Sequence, residues 1–224
     1  MPPWRTKLSC ADYFMPMITA MSEHLITDLP SLEALFGAVA APSIAKETDH
    51  LHPVYARWIA NARFALLATS GPDGVDVSPR GDAGPLVRIV DDHTLLLPER
   101  RGNNRIDSLR NLVADPRMSL IFLIPGVGET VRVRGRAEIS VAPALLESFA
   151  VEGKRPTCVL RIAVEKVFFQ CARSILRSRL WHREEHASAT VPTPGTMLAA
   201  LTQGDIDGQR YDSALPQRQR ESLY

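Results

Sequence analysis

The sequence has few cysteines, almost no net charge and no long apolar run. Its three cysteines, Cys10, Cys158 and Cys171, include no Cys-x-x-Cys pair, which argues against a disulfide framework and against a zinc or thioredoxin-type motif. A formal charge of +1 gives the whole chain no attraction to nucleic acid or to an anionic membrane. No run approaches the roughly 20 apolar residues of a membrane-spanning helix, and we expect no signal peptide. These absences predict a cytoplasmic protein that binds neither nucleic acid nor membrane.

What the sequence does contain is a series of short apolar strands between turn residues. Two helices are predicted before them, one from Leu29 and one over Thr48–Asn61. Strands such as Phe64–Thr69 and Met118–Ile124 are followed by turns rich in Gly and Pro, and they do not alternate with full-length helices. That pattern argues against a doubly wound parallel sheet. It predicts a mainly β fold with helices (α+β), an antiparallel barrel of about six strands with flanking helices.

Composition divides the chain into three parts. Residues 1–28 are typical of a flexible N-terminal extension, and residues 29–186 hold the leading helices and the β-rich body. Residues 187–224 are rich in Pro, Gly, Thr, Gln and Asp, with one short helix predicted at Met197–Leu201. We therefore expect one domain followed by a C-terminal tail that lies mostly at the surface or depends on a partner.

Polar hydrogen-bond donors are concentrated between Val75 and Leu112, beside apolar strands. The segment Ser78–Asp82 by itself also suits a solvated turn. The next donors open a helix predicted over Asn103–Val113, where the helix dipole disfavours cations. A bound phosphate would resolve that conflict, because backbone N–H groups and guanidinium groups would then converge on it. The donors are Ser78, Arg80, Arg100, Arg101, Asn103, Asn104 and Arg105.

The chain resembles the pyridoxamine 5′-phosphate oxidase-like, FMN-binding split-barrel family in four consecutive segments. The resemblance covers about residues 30–185 and is most specific to a bacterial subgroup with SPRGD and RGNNR signatures. It implies a six-stranded split β-barrel within residues 29–186. It also implies a homodimer that holds FMN at the subunit interface. The segments are FALLATSGPDG, VDVSPRGD, HTLLLPERRGNNRIDSLRNL and PRMSLIFLIPGVGETVRVRGRAEIS.

The same resemblance implies which residues contact the cofactor. The strand Val77–Arg80 would lie along the isoalloxazine ring, and the region Arg101–Arg105 would bind the phosphate. A segment around Arg177–Trp181 would reach the site from the partner subunit. The implied cofactor-binding residues are Val77, Ser78, Pro79, Arg80, Arg101, Asn103, Asn104, Arg105, Arg177, Ser178 and Trp181, with no metal site.

One departure from the family limits what the resemblance implies. Oxidases of vitamin B6 carry an Arg-x-x-Leu-Leu-Lys strand over the flavin, whereas this chain has Val-Asp-Val-Ser-Pro-Arg. We therefore hypothesise an FMN-dependent oxidoreductase that moves a hydride through flavin N5 to or from another small molecule. No general acid or base is identified. The alternative is a non-catalytic carrier or sensor that binds a flavin, a haem or a deazaflavin.

Three further features have simpler interpretations. The segment His182–His186 matches His-x-x-Glu-His, a zinc-protease pattern, but it leads into a Pro-containing tail and is interpreted as a chance match. Arg132, Arg134 and Arg136 alternate along one strand, which suits a solvated face or a dimer or anion surface. No histidine is adjacent to Cys171 in the sequence to activate it, so it is predicted to be a buried structural thiol.

Overall fold

The computed structural model describes residues 24–182 and 191–224. The chain divides into two compact units, Met1–Ala45 and Lys46–Tyr224. Within the first unit, helix α1 spans Leu29–Phe36 and helix α2 spans Ala41–Ala45. The Asp28 side chain accepts a hydrogen bond from the Ser31 N–H at 2.8 Å, which caps α1, and Gly37 ends the helix with a positive φ of 68°. The helix predicted from Leu29 is confirmed, with an earlier end than its apolar spacing indicated.

The second unit begins with a short helix, α3, over Pro53–Ile59. His52 is its N-cap, and Pro53 occupies the first turn, where a missing N–H is tolerated. The predicted start at Thr48 is wrong, because Thr48 forms an isolated antiparallel bridge with Val167 instead. Residues 48–52, which precede the helix, are therefore hydrogen-bonded to the sheet.

Seven strands of the second unit form one antiparallel sheet in the order β2-β1-β5-β6-β7-β4-β3. The prediction of a mainly antiparallel fold with flanking helices is confirmed, but the count of six strands is wrong. The sheet is also not closed into a barrel by backbone pairing within the described residues, since β2 and β3 are its unpaired edges. The strands are β1 Phe64–Gly71, β2 Gly74–Gly81, β3 Arg88–Asp91, β4 Thr94–Glu99, β5 Arg117–Leu123, β6 Thr130–Ser140 and β7 Cys158–Gln170.

The edge position of β2 explains how this strand contains a proline. Pro79 has no N–H to donate, so it is tolerated only where a strand has a neighbour on one side. The two-residue turn between β1 and β2 fixes the register, with Leu67 opposite Ser78 and Leu66 opposite Pro79. The sequence predicted that Pro79 lies at a sheet edge or a bulge, and its position on the edge strand β2 confirms the first of these.

The core lies on one face of the sheet and beneath helices α3 and α4, the latter spanning Asp107–Ala114. Ile59 of α3 and Leu112 of α4 pack into it. Strand alternation sends every second side chain to this face. The strand residues that are fully buried there include Ala65, Leu67, Leu120, Phe122, Val133, Leu160 and Ile162.

Strand β6 contains one of the two register shifts of the sheet, the other lying between β3 and β4. Its pairing with β7 shifts between Arg134 and Gly135, and a Cβ added at Gly135 would lie 2.1 Å from the carbonyl oxygen of Ala163. Glycine is therefore required at this position. The alternating arginines of β6 lie on the face opposite the core, with Arg134 and Arg136 exposed and Arg132 half-buried. Arg132 donates to Gln170 at 2.8 Å and stacks on Phe168.

The remaining helices follow β6 and β7. Helix α5 spans Pro143–Glu147, α6 spans Arg173–Ser178, α7 spans Pro194–Leu201 and α8 spans Gly208–Glu221. None of the helices in the ranges 24–182 and 191–224 has the length and hydrophobicity to cross a bilayer.

Residues 191–224 contain more helix than the single short one predicted at Met197–Leu201, since α7 starts earlier and α8 follows it. Helices α7 and α8 cross at Gly195 and Gly208, where a Cβ on Gly195 would lie 2.1 Å from the Gly208 carbonyl oxygen. The Asp212 carboxylate accepts the Gly195 N–H at 2.8 Å. Two glycines and one capping acid thus hold together two helices in a segment for which the sequence predicted only one.

Candidate functional site

The two donor segments predicted from the sequence are joined by a pair of reciprocal salt bridges. Arg80 of β2 donates to both carboxylate oxygens of Glu99, the last residue of β4. Arg100 donates to Asp82, with Nε and a terminal nitrogen 2.9 and 2.8 Å from the same oxygen. Each segment therefore supplies one arginine and one acid to the other.

These salt bridges connect parts of the sheet that backbone hydrogen bonds do not. Strands β2 and β4 lie near opposite ends of the strand order. The side chains of Arg80 and Glu99 are 15% and 18% exposed, and those of Arg100 and Asp82 are 15% and 8% exposed. Pairs this sheltered from water are screened little. Side chains thus link the two segments where the sheet itself stays open.

A hydrogen-bonded chain runs from Arg80 into the protein. Arg80 donates to the Ser78 hydroxyl at 3.1 Å, which lies 2.8 Å from the Ser108 hydroxyl, and Ser108 donates to Asp76 at 2.5 Å. Since the Ser108 proton is given to Asp76, Ser78 donates to Ser108. The chain therefore leads in one direction from a guanidinium to a carboxylate, an order in which each bond polarises the next. It fixes helix α4, which carries Ser108, against β2.

Alternation along β2 separates the residues predicted to line the isoalloxazine ring. Ser78 and Arg80 lie opposite Leu67 and Ala65 of β1, on the core side of the sheet. Val77 and Pro79 lie on the other face, and Val77 is 57% exposed. A planar ligand against one face of β2 therefore meets Val77 and Pro79, but not the Ser78 and Arg80 side chains. Those two side chains instead form the network that positions the strand.

Arg80 retains one unsatisfied donor. Its Nε is buried and has no hydrogen-bond partner among the described residues. A buried N–H without an acceptor costs free energy comparable to a lost hydrogen bond. An acceptor atom supplied by a bound molecule at this point would remove that cost.

The segment predicted to bind a phosphate is a loop rather than a helix start. Helix α4 begins at Asp107, with Ile106 as an N-cap that offers no side-chain hydrogen bond, so the predicted start at Asn103 is wrong. Asn104 has a left-handed φ of 59°, which interrupts helical backbone. The first turn holds the acidic Asp107, as the helix dipole favours. The predicted conflict between arginines and the dipole is therefore absent.

The donors of this loop are nevertheless available to a ligand. Arg101, Asn103, Asn104 and Arg105 are all exposed. Asn103 accepts the Arg105 N–H at 3.0 Å, and Arg105 donates to Asp107, a hydrogen bond that raises the pKa of the arginine. No hydrogen bond or ion pair within the described part of the chain involves the side chains of Arg101 and Asn104. Guanidinium and amide donors of this kind fit a phosphate group.

The third predicted group, Arg177, Ser178 and Trp181, makes its described hydrogen bonds elsewhere in the chain, away from β2 and the Arg101–Arg105 loop. Trp181 donates its indole N–H to the Val127 carbonyl at 2.7 Å, and Ser178 donates to the Ile175 carbonyl at 3.2 Å. Arg177 is exposed. Across residues 24–182 and 191–224, no hydrogen bond or ion pair connects Arg177, Ser178 or Trp181 to β2 or to the Arg101–Arg105 loop.

Sequence reasoning missed four residues of this region. Glu99 and Asp82 were adjacent to the predicted arginines, and their opposite charge was the signal that could have identified them. Ser108 is a buried serine on helix α4, and its contacts with β2 are visible only in the folded structure. Tyr224 donates to Asp82 at 3.1 Å and accepts the Ala83 N–H at 3.1 Å, and its ring lies 5.4 Å from the Arg100 guanidinium. Contacts between residues so far apart in the chain have no local signature.

The cysteines differ from prediction. Cys171 is exposed, so its assignment as a buried thiol is wrong, and the Arg173 backbone N–H lowers its pKa. Cys158 is the buried thiol, and burial raises its pKa to about 11. Within residues 24–182 and 191–224 no group of His, Cys, Asp or Glu forms a metal site. Residues 183–186 of the His-x-x-Glu-His match lie outside the described residues.

Comparison with known proteins adds one family match. The model of the family described as pyridoxamine 5′-phosphate oxidase matches residues 51–171. This range contains β2 and the Arg101–Arg105 loop but not Arg177–Trp181. A search of curated proteins gives no match.

Several solved structures are similar at low identity. A single-residue variant of HupZ from Group A Streptococcus is 24% identical, covers 54% of this chain and 99% of its own, and has a TM-score of 0.43. An FAD-binding protein from Mesorhizobium loti is 20% identical over 55% and 96% of the two chains, with a TM-score of 0.37. An FMN-binding protein from Syntrophomonas wolfei is 13% identical over 68% and 96%, with a TM-score of 0.39. Similarity at this level carries no information about ligand or activity.

Proposed function

This chain belongs to the pyridoxamine 5′-phosphate oxidase family, whose model matches more than half of its residues, and we propose that it binds FMN and acts as an FMN-dependent oxidoreductase. When bound, FMN supplies hydride and electron transfer through its N5 atom. The substrate would be a small molecule other than vitamin B6. The residues around β2 and the Arg101–Arg105 loop, which follows β4, would bind and orient the cofactor.

The observation that carries the proposal is the reciprocal pair of salt bridges, Arg80–Glu99 and Arg100–Asp82. They link β2 to the residues immediately before the donor loop. Arg101 follows Arg100 directly, so the bond between Arg100 and Asp82 fixes the loop at one end. The chain from Ser78 through Ser108 holds α4, which fixes the loop at its other end. An exposed donor loop anchored at both ends is preorganised for an anion.

We assign separate roles to the two faces of β2. Val77 and Pro79 would contact the apolar ring, together with Leu66 and Ala68, which lie opposite them on β1. As an edge strand, β2 also directs backbone N–H and C=O groups away from β1, and these suit the polar edge of a flavin. Arg101, Asn103, Asn104 and Arg105 would hold the phosphate. Ser78 and Arg80 would act mainly by positioning, with the unpaired Arg80 Nε available to an acceptor.

A second copy of the chain would complete this site. Within the described residues, Arg177, Ser178 and Trp181 make no hydrogen bond or ion pair with β2, and the resemblance implies that they come from a partner. The outer face of β1 and β2 is apolar and exposed, with Val75 and Val77 at 77% and 57% exposure. Covering such a face is a reason to dimerise. We therefore infer a homodimer with FMN at the interface.

A titration of the purified protein with FMN tests the cofactor. We expect saturable binding of one FMN per chain, with the near-ultraviolet and blue absorbance bands of an oxidised flavin. A colourless preparation that leaves added FMN fluorescence unchanged would refute both the cofactor and the assigned residues. Oxidation of NADH or NADPH by the flavin-loaded protein then tests catalysis. Tight FMN binding without turnover would favour the carrier or sensor alternative.

A further inference from the structure

A cleft of about 440 Å³ is lined by none of the residues assigned to bind FMN. It opens between the residues around Val87, at the start of β3, and the turn that follows α5. Its volume falls in the range of roughly 300 to 1,000 Å³ that is typical of small-molecule sites. Arg100, which contributes to its wall, is the same arginine that binds Asp82. The cleft and the donor loop are therefore next to each other along the chain.

The charged side chains in the cleft wall are all positive. Two of its residues are arginines, Arg88 and Arg100, and none is an aspartate or a glutamate. Apart from Ser148, the other residues are apolar, among them Val87, Ile89 and Phe149. A wall of this composition attracts an anion and disfavours a cation, while its apolar part favours a hydrophobic body.

Arg88 is the arginine whose charge remains uncompensated. Arg100 is neutralised by Asp82, whereas Arg88 forms no ion pair with any residue in the described ranges. Arg88 instead donates to the Ser148 hydroxyl at 2.9 Å and to the Ser148 carbonyl at 2.7 Å. Its guanidinium stacks 3.9 Å from the centroid of the Phe149 ring. These contacts hold the guanidinium still and leave three of its five N–H groups for a ligand.

Phe149 is held from two sides. Arg88 covers its ring, and Arg100 donates to its carbonyl oxygen at 2.7 Å. The two arginines, which belong to β3 and to the segment after β4, thus fix the turn after α5 in place. A fixed guanidinium next to a fixed aromatic ring is a preorganised site for a group that is both anionic and flat.

We propose that this cleft binds an organic carboxylate with a small apolar body. The carboxylate pairs with the guanidinium of Arg88, and the apolar body packs beside Phe149, Ile89 and Val151. An inorganic phosphate does not suit the site, because most of the wall has no donors to offer it. The site does not depend on FMN, so it is tested on the protein with and without the flavin.

The probe is benzoate, and the measurement is an NMR titration of backbone amides in the full-length protein. We expect benzoate to shift the amides of Ile89, Ala150 and Val151 and to leave those of Arg101–Arg105 unchanged. Benzyl alcohol has the same apolar body without the charge, and we expect it to bind at least about tenfold more weakly, as the loss of a charge-assisted hydrogen bond implies. Benzyl alcohol binding as tightly as benzoate, or phosphate shifting the same amides as strongly, would overturn the proposal.

Two variants and one matched control make the test specific. Arg88→Met keeps the aliphatic stem and should weaken benzoate binding at least about tenfold. Arg161→Met removes one arginine that pairs with Glu138 on exposed strand positions, and it should leave binding unchanged. If Arg88→Met loses its dispersed spectrum, Ala150→Trp fills the cleft while the charge remains, and it should abolish the shifts. Unaltered benzoate binding in the folded Arg88→Met or Ala150→Trp protein would refute the site.

Discussion

Arg80 on β2 and Glu99 at the end of β4 form a salt bridge between two strands that are not neighbours in the sheet. The sheet is open between these strands, and Pro79, next to Arg80, cannot donate a backbone hydrogen bond. The salt bridge therefore links two strands through their side chains, whereas neighbouring strands elsewhere in the sheet are linked by backbone hydrogen bonds. Its counterpart, Arg100–Asp82, repeats the connection one or two residues further along both segments.

The first prediction concerns the free energy of unfolding. Glu99→Gln leaves the largely buried Arg80 guanidinium without its carboxylate and should destabilise the protein by about 2–3 kcal/mol, somewhat less than for a fully buried pair. Glu138→Gln removes an acid from the exposed pair with Arg161 and should cost less than about 1 kcal/mol. Urea denaturation of the two variants checks the difference. Equal losses in both would show that the Arg80–Glu99 pair does not hold the segments together.

The second prediction concerns Tyr224 and the SPRGD segment. Tyr224→Phe keeps the ring against Arg100 but removes the hydroxyl that contacts Asp82 and Ala83. We expect a loss of about 1 kcal/mol and faster hydrogen exchange at the Ala83 amide. Tyr211→Phe is the matched control, since that ring stacks on Arg218 and its hydroxyl makes no hydrogen bond with the described residues. Unchanged exchange at Ala83 would argue against the contact.

The third prediction is a pH dependence at Asp115. The Arg117 side chain and its backbone N–H lower the pKa of this carboxyl from 3.8 to about 2. A folded-state pKa below the unfolded one means that the carboxylate stabilises the fold above pH 3.8 and loses this effect as the pH falls towards 2. Carbon-detected NMR titration should give a pKa of about 2. Arg117→Ala should return it towards 3.8, whereas Arg161→Ala should not change it.

The fourth prediction concerns thiol reactivity in a Cys10→Ser background. Cys171 is exposed with a lowered pKa, whereas Cys158 is buried with a pKa of about 11. Because the thiolate is the reactive form, one thiol should react rapidly with a disulfide reagent at neutral pH and the second only on unfolding. Adding Cys171→Ser should remove the rapid phase. Persistence of that phase would mean that Cys158 is accessible.

Much of the fold could be predicted because its signals are local. Apolar alternation and Gly- or Pro-containing turns identified strands such as β1 and β5, with bounds within a few residues of those observed. The start of α4 could not be predicted, because it depends on the left-handed conformation of Asn104. Helix α8 was missed because it is polar and contains Pro216, and its packing depends on the Gly195–Gly208 crossing. Such tertiary contacts have no periodic signature.

The candidate site shows the same division between local and long-range information. The sequence identified the donors Arg80, Arg100 and Arg101 as a group. It did not reveal that Arg80 and Arg100 are already paired with Glu99 and Asp82, because that pairing depends on two strands meeting across the open sheet. Of the three arginines, only Arg101 has no partner among the described residues. The assignment of cofactor-binding residues remains a prediction.

The fifth prediction tests that assignment by comparing the binding of FMN with that of riboflavin, which lacks the phosphate. Arg101→Ala combined with Asn104→Gly removes two exposed side chains that make no hydrogen bond within the described part of the chain. Because glycine tolerates the left-handed φ of residue 104, the fold should be unaffected. FMN binding should weaken by at least about 2 kcal/mol, roughly 30-fold, if these are charge-assisted phosphate contacts. Riboflavin has the same ring system without the phosphate, so its affinity should be unchanged by the double substitution.

The control for this comparison is Arg161→Ala, which removes an arginine from β7 and should affect neither ligand. Val77→Asp places a charge on the outer face of β2 and should weaken FMN and riboflavin alike, because it disfavours the apolar ring. Equal weakening of FMN and riboflavin by Arg101→Ala with Asn104→Gly would show that the loop supports the ring or the fold instead. If the Arg101–Arg105 loop binds the phosphate, the double substitution should weaken the binding of FMN only.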